Sequence, residues 1–310
     1  MLKAPPIRGM GYTHKSRLVL LKHRNKRAWV YPEQGFQLYG FEQDFGKTTA
    51  ASVIYAPDRN REPPERRYGN PILFPNPGFS QSDHGLNTWI WQEKALSIPL
   101  HGFARDTCWQ LLDLHADRVT AEMLPNPSAA LAFPFKFRLE LTYRLEERGL
   151  VLDAMLENIG KESFPYAFGF HPYLNAPLGR KGSVKNCFVK LPAGIRNEST
   201  HQWKNPRKSS FAAQRIRGDH PLEPAILLRE TYTRDLEVED EANGFVARIS
   251  TADSCQSLDT WVIWSESPEA PFLCLEPWTD IPNALNRPET RCCAVGEEHR
   301  YQMILSVGTL

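Results

Sequence analysis

The chain has 310 residues, 41% of them hydrophobic, and a formal net charge of +1 from 37 basic and 36 acidic side chains. The apolar content excludes a disordered chain, the balanced charge excludes the basic field that attracts nucleic acid, and no apolar run is long enough for a membrane helix. Six cysteines occur without any Cys-x-x-Cys spacing, so neither a zinc site nor a thioredoxin-like site is indicated. We expect free thiols in a reducing compartment and a cytoplasmic location, with no nucleic-acid or membrane partner.

The amino-terminal segment is basic. Lysines and arginines recur through the first 32 residues, and no acidic residue precedes Glu33. Such a segment is typical of an organelle transit peptide or of a basic arm for an acidic partner. The apolar runs at 17–21 and 28–31 flank a polar turn, however, which favours two strands with a solvated face. We therefore expect a single domain over residues 1–310, with residues 1–27 as a basic extension or first strand.

Short strand-like segments follow one another along the chain, and convincing helical periodicity is scarce. They are rich in β-branched and aromatic residues: Phe36–Tyr39, Ala51–Tyr55, Phe137–Tyr143, Leu150–Leu156, Phe245–Ile249, Trp261–Trp264 and Met303–Val307. The third of them alternates apolar and polar side chains, which puts one face in a core and one in water. Trp109–His115 fits a helix or a strand equally, and Pro57–Arg67 and Gln202–Pro221 are expected to be long loops. The pattern predicts an all-β domain, a large antiparallel β-sandwich.

Three segments set a titratable side chain among apolar, glycine and proline neighbours. They contain His101 in HGFAR, His171 in GFHPYL and Glu276 in CLEPWT. Each residue taken alone is more often structural, for example a core histidine that donates to a carbonyl group. Two imidazoles and one carboxylate without metal-ligand spacing favour general acid–base chemistry over metal binding. No serine or cysteine lies in a nucleophile elbow, so acyl chemistry is not indicated.

These motifs resemble those of the aldose 1-epimerases, the galactose mutarotase-like proteins. The similarity extends from about Ala28 to Val307. It includes GNPILFP at 69–75, the three motifs above in family order, and AVGE at 294–297, where Val295 stands in place of the family's proline. The resemblance implies the galactose mutarotase-like supersandwich and a reaction that interconverts the α and β anomers of an aldose with neither cofactor nor metal.

The resemblance also implies catalytic roles. Glu276 matches the family's general base, His171 its general acid, and His101 a second histidine that positions the substrate. The base takes the proton of the anomeric hydroxyl while the acid protonates the ring oxygen, so the ring opens and then closes on the other face. We expect the carboxylate and the imidazole to lie on opposite sides of the sugar.

Aromatic and polar side chains near the motifs bear on the substrate. Trp278, then Tyr173 and Phe103, are expected to line the sugar, because its C–H groups stack on aromatic rings. Galactose-active members have an Asn-Arg pair at this place; Asn70 matches the asparagine, but a proline replaces the arginine. Only Asp235 loosely matches a further aspartate of those members. The preferred sugar therefore stays open.

Three arginines raise the alternative of a phosphorylated sugar. The HGFAR form is similar to the branch of the family that includes the hexose-6-phosphate mutarotases, so Arg66, Arg67 and Arg105 are candidates for a phosphate. Alternatively, Arg66 and Arg67 belong to a solvated loop, and Arg105 pairs with Asp106 or a carbonyl group. We expect a small-molecule sugar as the partner of a monomer or homodimer. A third alternative is a non-catalytic sugar-binding module on the same fold.

Overall fold

The computed structural model describes residues 18–46, 49–56, 68–198, 206–252 and 255–310. Within these ranges the chain forms 27 β-strands and one short α-helix, α1 (Pro127–Ala132). The strands in chain order are β1 (Val19–His23), β2 (Lys26–Tyr31), β3 (Gln37–Asp44), β4 (Ala50–Ser52), β5 (Ile72–Leu73), β6 (Gln81–Ser82), β7 (Gly85–Leu86), β8 (Thr88–Trp91), β9 (Lys94–Ser97), β10 (Trp109–Leu114), β11 (Arg118–Met123), β12 (Phe137–Glu146), β13 (Gly149–Asn158), β14 (Phe164–Pro165), β15 (Gly169–Phe170), β16 (Tyr173–Asn175), β17 (Cys187–Leu191), β18 (Gly194–Glu198), β19 (Arg207–Phe211), β20 (Gln214–Arg217), β21 (Ile226–Arg229), β22 (Asp235–Asp240), β23 (Phe245–Thr251), β24 (Thr260–Trp264), β25 (Phe272–Trp278), β26 (Cys292–Cys293) and β27 (Glu298–Thr309).

Two large antiparallel sheets form the body of the molecule. The nine-stranded sheet has the order β10-β11-β12-β13-β27-β23-β22-β17-β20. The eight-stranded sheet has the order β19-β18-β21-β24-β25-β15-β5, and β16 also pairs with β25. One apolar core receives Leu141 and Leu152 from the first sheet and Leu273 and Leu275 from the second. The predicted all-β antiparallel sandwich is thereby confirmed.

Strand β12 shows why the alternating pattern was informative. Its ten residues alternate between buried and partly exposed from Phe137 onward, as a strand with one face in the core requires. Strand β25 differs, because all seven of its residues are buried. Leu273 and Leu275 face the core between the sheets, while Cys274 and Glu276 project from the opposite face. A carboxylate therefore lies on a strand that is covered on both sides.

The amino-terminal region forms a smaller sheet. Strands β1 to β4 pair in sequence as a four-stranded antiparallel sheet, and the β1–β2 hairpin confirms the two strands predicted around a polar turn. Residues 1–17 lie outside the described residues. The ambiguous segment at 109–115 is strand β10 rather than a helix. No helix in the described part of the chain is long and apolar enough to cross a membrane.

The expectation of a long loop over Gln202–Pro221 is wrong for its described part. Strands β19 and β20 lie in it, at the outer ends of the eight-stranded and nine-stranded sheets respectively. Nearly all their side chains are exposed or partly exposed, and Ile216 is the buried exception. An edge strand can be held by backbone hydrogen bonds alone, so its sequence need not carry an apolar face. The other predicted loop, Pro57–Arg67, lies outside the described residues.

Candidate active site

Glu276 is a carboxylate in the middle of a large sheet. It lies on β25 opposite Val262 of β24, and its side chain is only 2% exposed. Residues two positions apart on a strand share a face, so Cys274 and Trp278 flank it on the same side. Trp278 donates a hydrogen bond from its indole Nε1 to Oε2 of Glu276 at 3.1 Å. The carboxylate is thus held by its own strand and largely withdrawn from water.

His171 lies in the short connection between β15 and β16. Its backbone N–H donates to Oδ1 of Asn70 at 3.0 Å, and Asn70 is fully buried. The imidazole stacks on the ring of Tyr173, with centroids 4.6 Å apart and planes inclined by 2°. Its Nε2 is 3.4 Å from Oε2 of Glu276. Backbone and ring contacts therefore both fix the imidazole beside the carboxylate.

His101 completes the cluster from a turn. Its backbone is left-handed, with φ of 64°, and its N–H donates to the carbonyl oxygen of Gly78 at 2.7 Å. The ring Nδ1 accepts a hydrogen bond from the Gly78 N–H at 3.0 Å, so a neutral ring carries its proton on Nε2. The ring centroid is 5.3 Å from that of His171 and 6.0 Å from that of Trp278. The structure thus brings the two predicted histidines and Glu276 together.

Burial dominates the ionisation of all three groups. It raises the pKa of Glu276 well above its ordinary value, and the hydrogen bond from Trp278 opposes this rise. Burial, and then the charge of Arg105, lowers the pKa of His101 to about 3. Burial also lowers the pKa of His171 well below its ordinary value, with smaller contributions from His101 and Arg105. His171 and Glu276 therefore favour a state in which the pair carries one proton and no net charge.

The acid and the base are side by side rather than on opposite sides of the sugar. A separation of 3.4 Å between Nε2 of His171 and Oε2 of Glu276 leaves no room for a pyranose ring between them. The expectation of opposite sides is therefore wrong. The adjacent arrangement suits two oxygens bonded to the same carbon, as the anomeric hydroxyl and the ring oxygen are. Each group can then reach one of the two oxygens over a hydrogen-bond distance.

Of the predicted arginines, Arg105 is in reach of the cluster. It lies in a single 3-10 turn, Ala104–Asp106, and its side chain is 12% exposed, with Nε 3.7 Å from Oδ2 of Asp106. Its positive charge lowers the pKa of both site histidines, so it lies within electrostatic range of them. Arg66 and Arg67 lie outside the described residues.

Phe103 does not join the site, contrary to expectation. Its ring is 6% exposed and packs against Phe74, Phe133 and Phe137 in the apolar core. Its backbone N–H donates to the carbonyl oxygen of Phe74 at 2.9 Å, so the two residues are neighbours through both backbone and ring. The motif HGFAR therefore supplies His101 to the cluster and one aromatic side chain to the core.

Asn70 and Asp235, the two polar residues compared with galactose-active members of the family, occupy different places. Asn70 is fully buried, and its Oδ1 accepts a hydrogen bond from the backbone N–H of His171, while a direct contact with a sugar stays a prediction. Asp235 is exposed on β22, where it pairs with Ser250 in the nine-stranded sheet. Glu276 and His171 belong instead to the eight-stranded sheet and its connections, so Asp235 is not part of the cluster.

Cys274 and Trp264 were missed. Cys274 is fully buried two residues before Glu276, and Trp264 faces it from β24. The ring of Trp264 is 6.2 Å from that of His171. The signal for Cys274 was available, because residues i and i−2 of a strand share a face.

Two groups of side chains in the described part of the chain have ligand atoms close enough to bind a metal ion. In each group the atoms lie within 4.8 Å of one another. We call them the site trio (His171, Cys274 and Glu276) and the turn trio (Cys293, Glu297 and His299). Thiol, imidazole and carboxylate are all zinc ligands in proteins.

Solved structures with this architecture define the class of fold. A galactose mutarotase-like protein from Lactobacillus casei aligns with a TM-score of 0.77 and 18% identity, over 94% of this chain and 100% of that one. The Slr1438 protein from Synechocystis sp. PCC 6803 gives a TM-score of 0.77 and 22% identity, over 98% of this chain and 100% of that one. The fold is therefore that of the galactose mutarotase-like proteins.

The family follows from the sequence itself. The model of the aldose 1-epimerase family matches residues 17–306, and the chain belongs to that family. Protein LacX of Lactococcus lactis subsp. lactis is 25% identical over 231 residues, which cover 69% of this chain and 75% of that protein. Protein YihR of Escherichia coli K12 is 30% identical over 148 residues, or 45% of this chain and 46% of that one.

Proposed function

We propose that this protein is a mutarotase that interconverts the α and β anomers of an aldose, with Glu276 as general base and His171 as general acid. The observation that carries the proposal is the 3.4 Å approach of Nε2 of His171 to Oε2 of Glu276. A buried pair with one shared proton offers one donor and one acceptor, which is what ring opening of a cyclic hemiacetal needs. Membership of the aldose 1-epimerase family supports the same reaction.

The proton balance of the cycle follows from this pair. In the active form His171 holds the proton and Glu276 is ionised. Glu276 takes the proton of the anomeric hydroxyl, His171 delivers its proton to the ring oxygen, and the bond between C1 and that oxygen breaks. After rotation about C1–C2 the two groups exchange roles and the ring closes. The pair and the sugar together neither gain nor lose a proton, so the buried site never has to hold an uncompensated charge.

The active form needs an ionised Glu276, although burial favours its neutral state. Two hydrogen bonds counter this preference. One comes from Nε1 of Trp278, and the other would come from the anomeric hydroxyl of the bound sugar. Sugar binding therefore shifts the shared proton from Glu276 toward His171. Nε2–H of His101, free of the Gly78 contact, donates to a second sugar oxygen and orients the ring.

Mutarotation can be measured directly on freshly dissolved α-anomers of several aldoses, by polarimetry or by NMR exchange. We expect a rate well above the spontaneous rate, and loss of that rate in Glu276→Gln with the fold intact by circular dichroism. Sugar binding without any rate enhancement would instead indicate the non-catalytic module.

A hexose-6-phosphate mutarotase is the second candidate. It is favoured by Arg105, whose positive charge reaches both site histidines. A phosphate near this guanidinium would form charge-assisted hydrogen bonds that weaken with added salt. Affinities for glucose and glucose 6-phosphate at low and high salt separate the two substrates. Equal affinities at low salt would exclude the phosphorylated sugar, and Arg105→Gln should remove any difference that exists.

A further inference from the structure

Cys274 is the one member of the site trio that the proposed reaction leaves unused. Its thiol is fully buried on the face of β25 that carries Glu276, in a pocket of Tyr173, Phe272 and Trp264. Its sulfur lies within 4.8 Å of the ligand atoms of His171 and Glu276. We propose that the site trio is a binding site for Zn²⁺ and that the bound ion inhibits the enzyme, because it occupies the imidazole and the carboxylate that move the protons. The inhibition, though not the site, rests on the proposed function.

The geometry of the trio suits a tetrahedral ion. Zinc binds nitrogen and oxygen ligands at about 2.0–2.2 Å and thiolate sulfur at about 2.3 Å, which places neighbouring ligand atoms about 3.4 Å apart. Nε2 of His171 and Oε2 of Glu276 are already 3.4 Å apart. The sulfur of Cys274, which lies within 4.8 Å of both, is the atom that would have to move closer. The fourth position would then be left for water or a sugar hydroxyl.

The charges of the trio fit once the ion displaces the protons of Cys274 and Glu276, whose pKa values burial raises. A thiolate and a carboxylate together cancel the charge of a divalent ion, and the third ligand is a neutral imidazole. The positive charge of Arg105, which lowers the pKa of His171, also opposes a bound cation. Two anionic ligands offset that repulsion. A mixed sulfur, nitrogen and oxygen set favours Zn²⁺ or Co²⁺ over Mg²⁺ and Ca²⁺.

The surroundings hold two of the three ligands, Glu276 and His171, in place. Trp278 supports the carboxylate of Glu276, and Asn70 supports the backbone of His171. Nδ1 of His171 is buried and has no hydrogen-bond partner among the described residues. Zinc binding through Nε2 would require the ring proton on Nδ1, away from Oε2 of Glu276. With the proton on Nδ1, the Nε2 lone pair points to the position that zinc would take.

The test uses Co²⁺ as a spectroscopic substitute for zinc in the full-length, reduced protein. Bound Co²⁺ with a thiolate ligand gives an intense near-ultraviolet charge-transfer band, and we expect this band in the wild type and its displacement by Zn²⁺. Cys274→Ala should lose the band and weaken Zn²⁺ binding about 100-fold or more, beyond the effect of losing a supporting partner. Cys274→Ser, nearly isosteric and a poor ligand, guards against a folding defect in the alanine variant.

Two matched controls separate this site from other thiols. Cys187→Ala removes a buried cysteine of the nine-stranded sheet, and Cys293→Ala removes the sulfur of the turn trio. Both variants should keep the site-trio band, and Zn²⁺ should inhibit their mutarotation as it inhibits the wild type. A band that is absent from the wild type, or that survives in Cys274→Ala, overturns the proposal. A band lost only with Cys274 in a protein without mutarotase activity supports the zinc site and rejects the proposed function.

Discussion

The site trio and the turn trio contain the same three residue types and differ in their surroundings. Glu276 is 2% exposed, and burial raises its pKa, whereas Glu297 is 46% exposed. Hydrogen bonds from the Ala294 amide and from His299 lower the pKa of Glu297 below its ordinary value. Water and hydrogen bonds thus keep Glu297 ionised, whereas burial makes Glu276 the stronger base of the two.

The histidines differ in the same sense. Both nitrogens of His299 are engaged, Nε2 with Glu297 at 2.9 Å and Nδ1 with the hydroxyl of Tyr166, which also contacts the hydroxyl of Tyr301. Nδ1 of His171 has no partner among the described residues, and its Nε2 is 3.4 Å from Glu276. A fully bonded imidazole stabilises a fold, while a partly bonded one can exchange a proton. The comparison teaches that residue type alone does not identify a catalytic cluster.

The largest difference should appear when the two carboxylates are neutralised. Glu276→Gln keeps the shape but cannot accept a proton, so we expect mutarotation to fall about 100-fold or more. Glu297→Gln should leave the rate near that of the wild type. Rates of the purified variants on one aldose, measured by polarimetry, check both. A Glu276→Gln variant that is folded and active would leave the reaction without a base.

The pH dependence of stability tests the burial of His101, the histidine that lies beside the site trio. The pKa of His101 is lowered from 6.5 to about 3, so the unfolded chain takes up a proton that the folded chain refuses. Its contribution to stability is present above pH 6.5 and is lost as the pH falls toward 3, at up to about 1.4 kcal/mol per pH unit. His101→Asn keeps an acceptor for Gly78 and does not titrate. Urea denaturation at a series of pH values should show a steeper acid loss in the wild type, and parallel curves would contradict the prediction.

A moderate effect is expected when Glu276, the proposed base, loses its hydrogen-bond donor. Trp278→Phe keeps an aromatic ring and removes the N–H that favours ionised Glu276. A hydrogen bond to a charged group contributes about 1.5 kcal/mol or more, so the rate at neutral pH should fall about tenfold. The acidic limb of the pH–rate profile should also shift to higher pH, because the pKa of Glu276 rises further. An unchanged profile would mean that the contact does not tune the base.

The smallest effect is expected from the buried hydrogen bonds that link His299, Tyr166 and Tyr301. Tyr166→Phe removes the hydroxyl that joins His299 to Tyr301, all three of them buried. We expect a loss of about 1 kcal/mol in the free energy of unfolding and no change in the rate of mutarotation. Denaturation and polarimetry on the same preparation check this. A large loss of activity would show that the turn trio also serves the reaction.

The sequence predicted the elements that bury an apolar face and the order of the motifs. The alternation of apolar and polar side chains was enough to predict strand β12. Strands β19 and β20 could not be predicted, because edge strands are held by backbone pairing and these two carry mostly polar side chains. The gathering of His101, His171 and Glu276 followed from the resemblance. The adjacency of acid and base did not, since it depends on how the β15–β16 connection meets β25. The inward turn of Phe103 likewise depends on its contact with Phe74.

Glu276, the proposed base, lies on a strand whose seven residues are all buried. The strand is buried on both faces and pairs with β24 on one edge, while β15 and β16 pair with its two ends on the other edge. Amide hydrogens near Leu275 should exchange with deuterium only through global unfolding. Heat should therefore abolish activity and structure together, in one step rather than two.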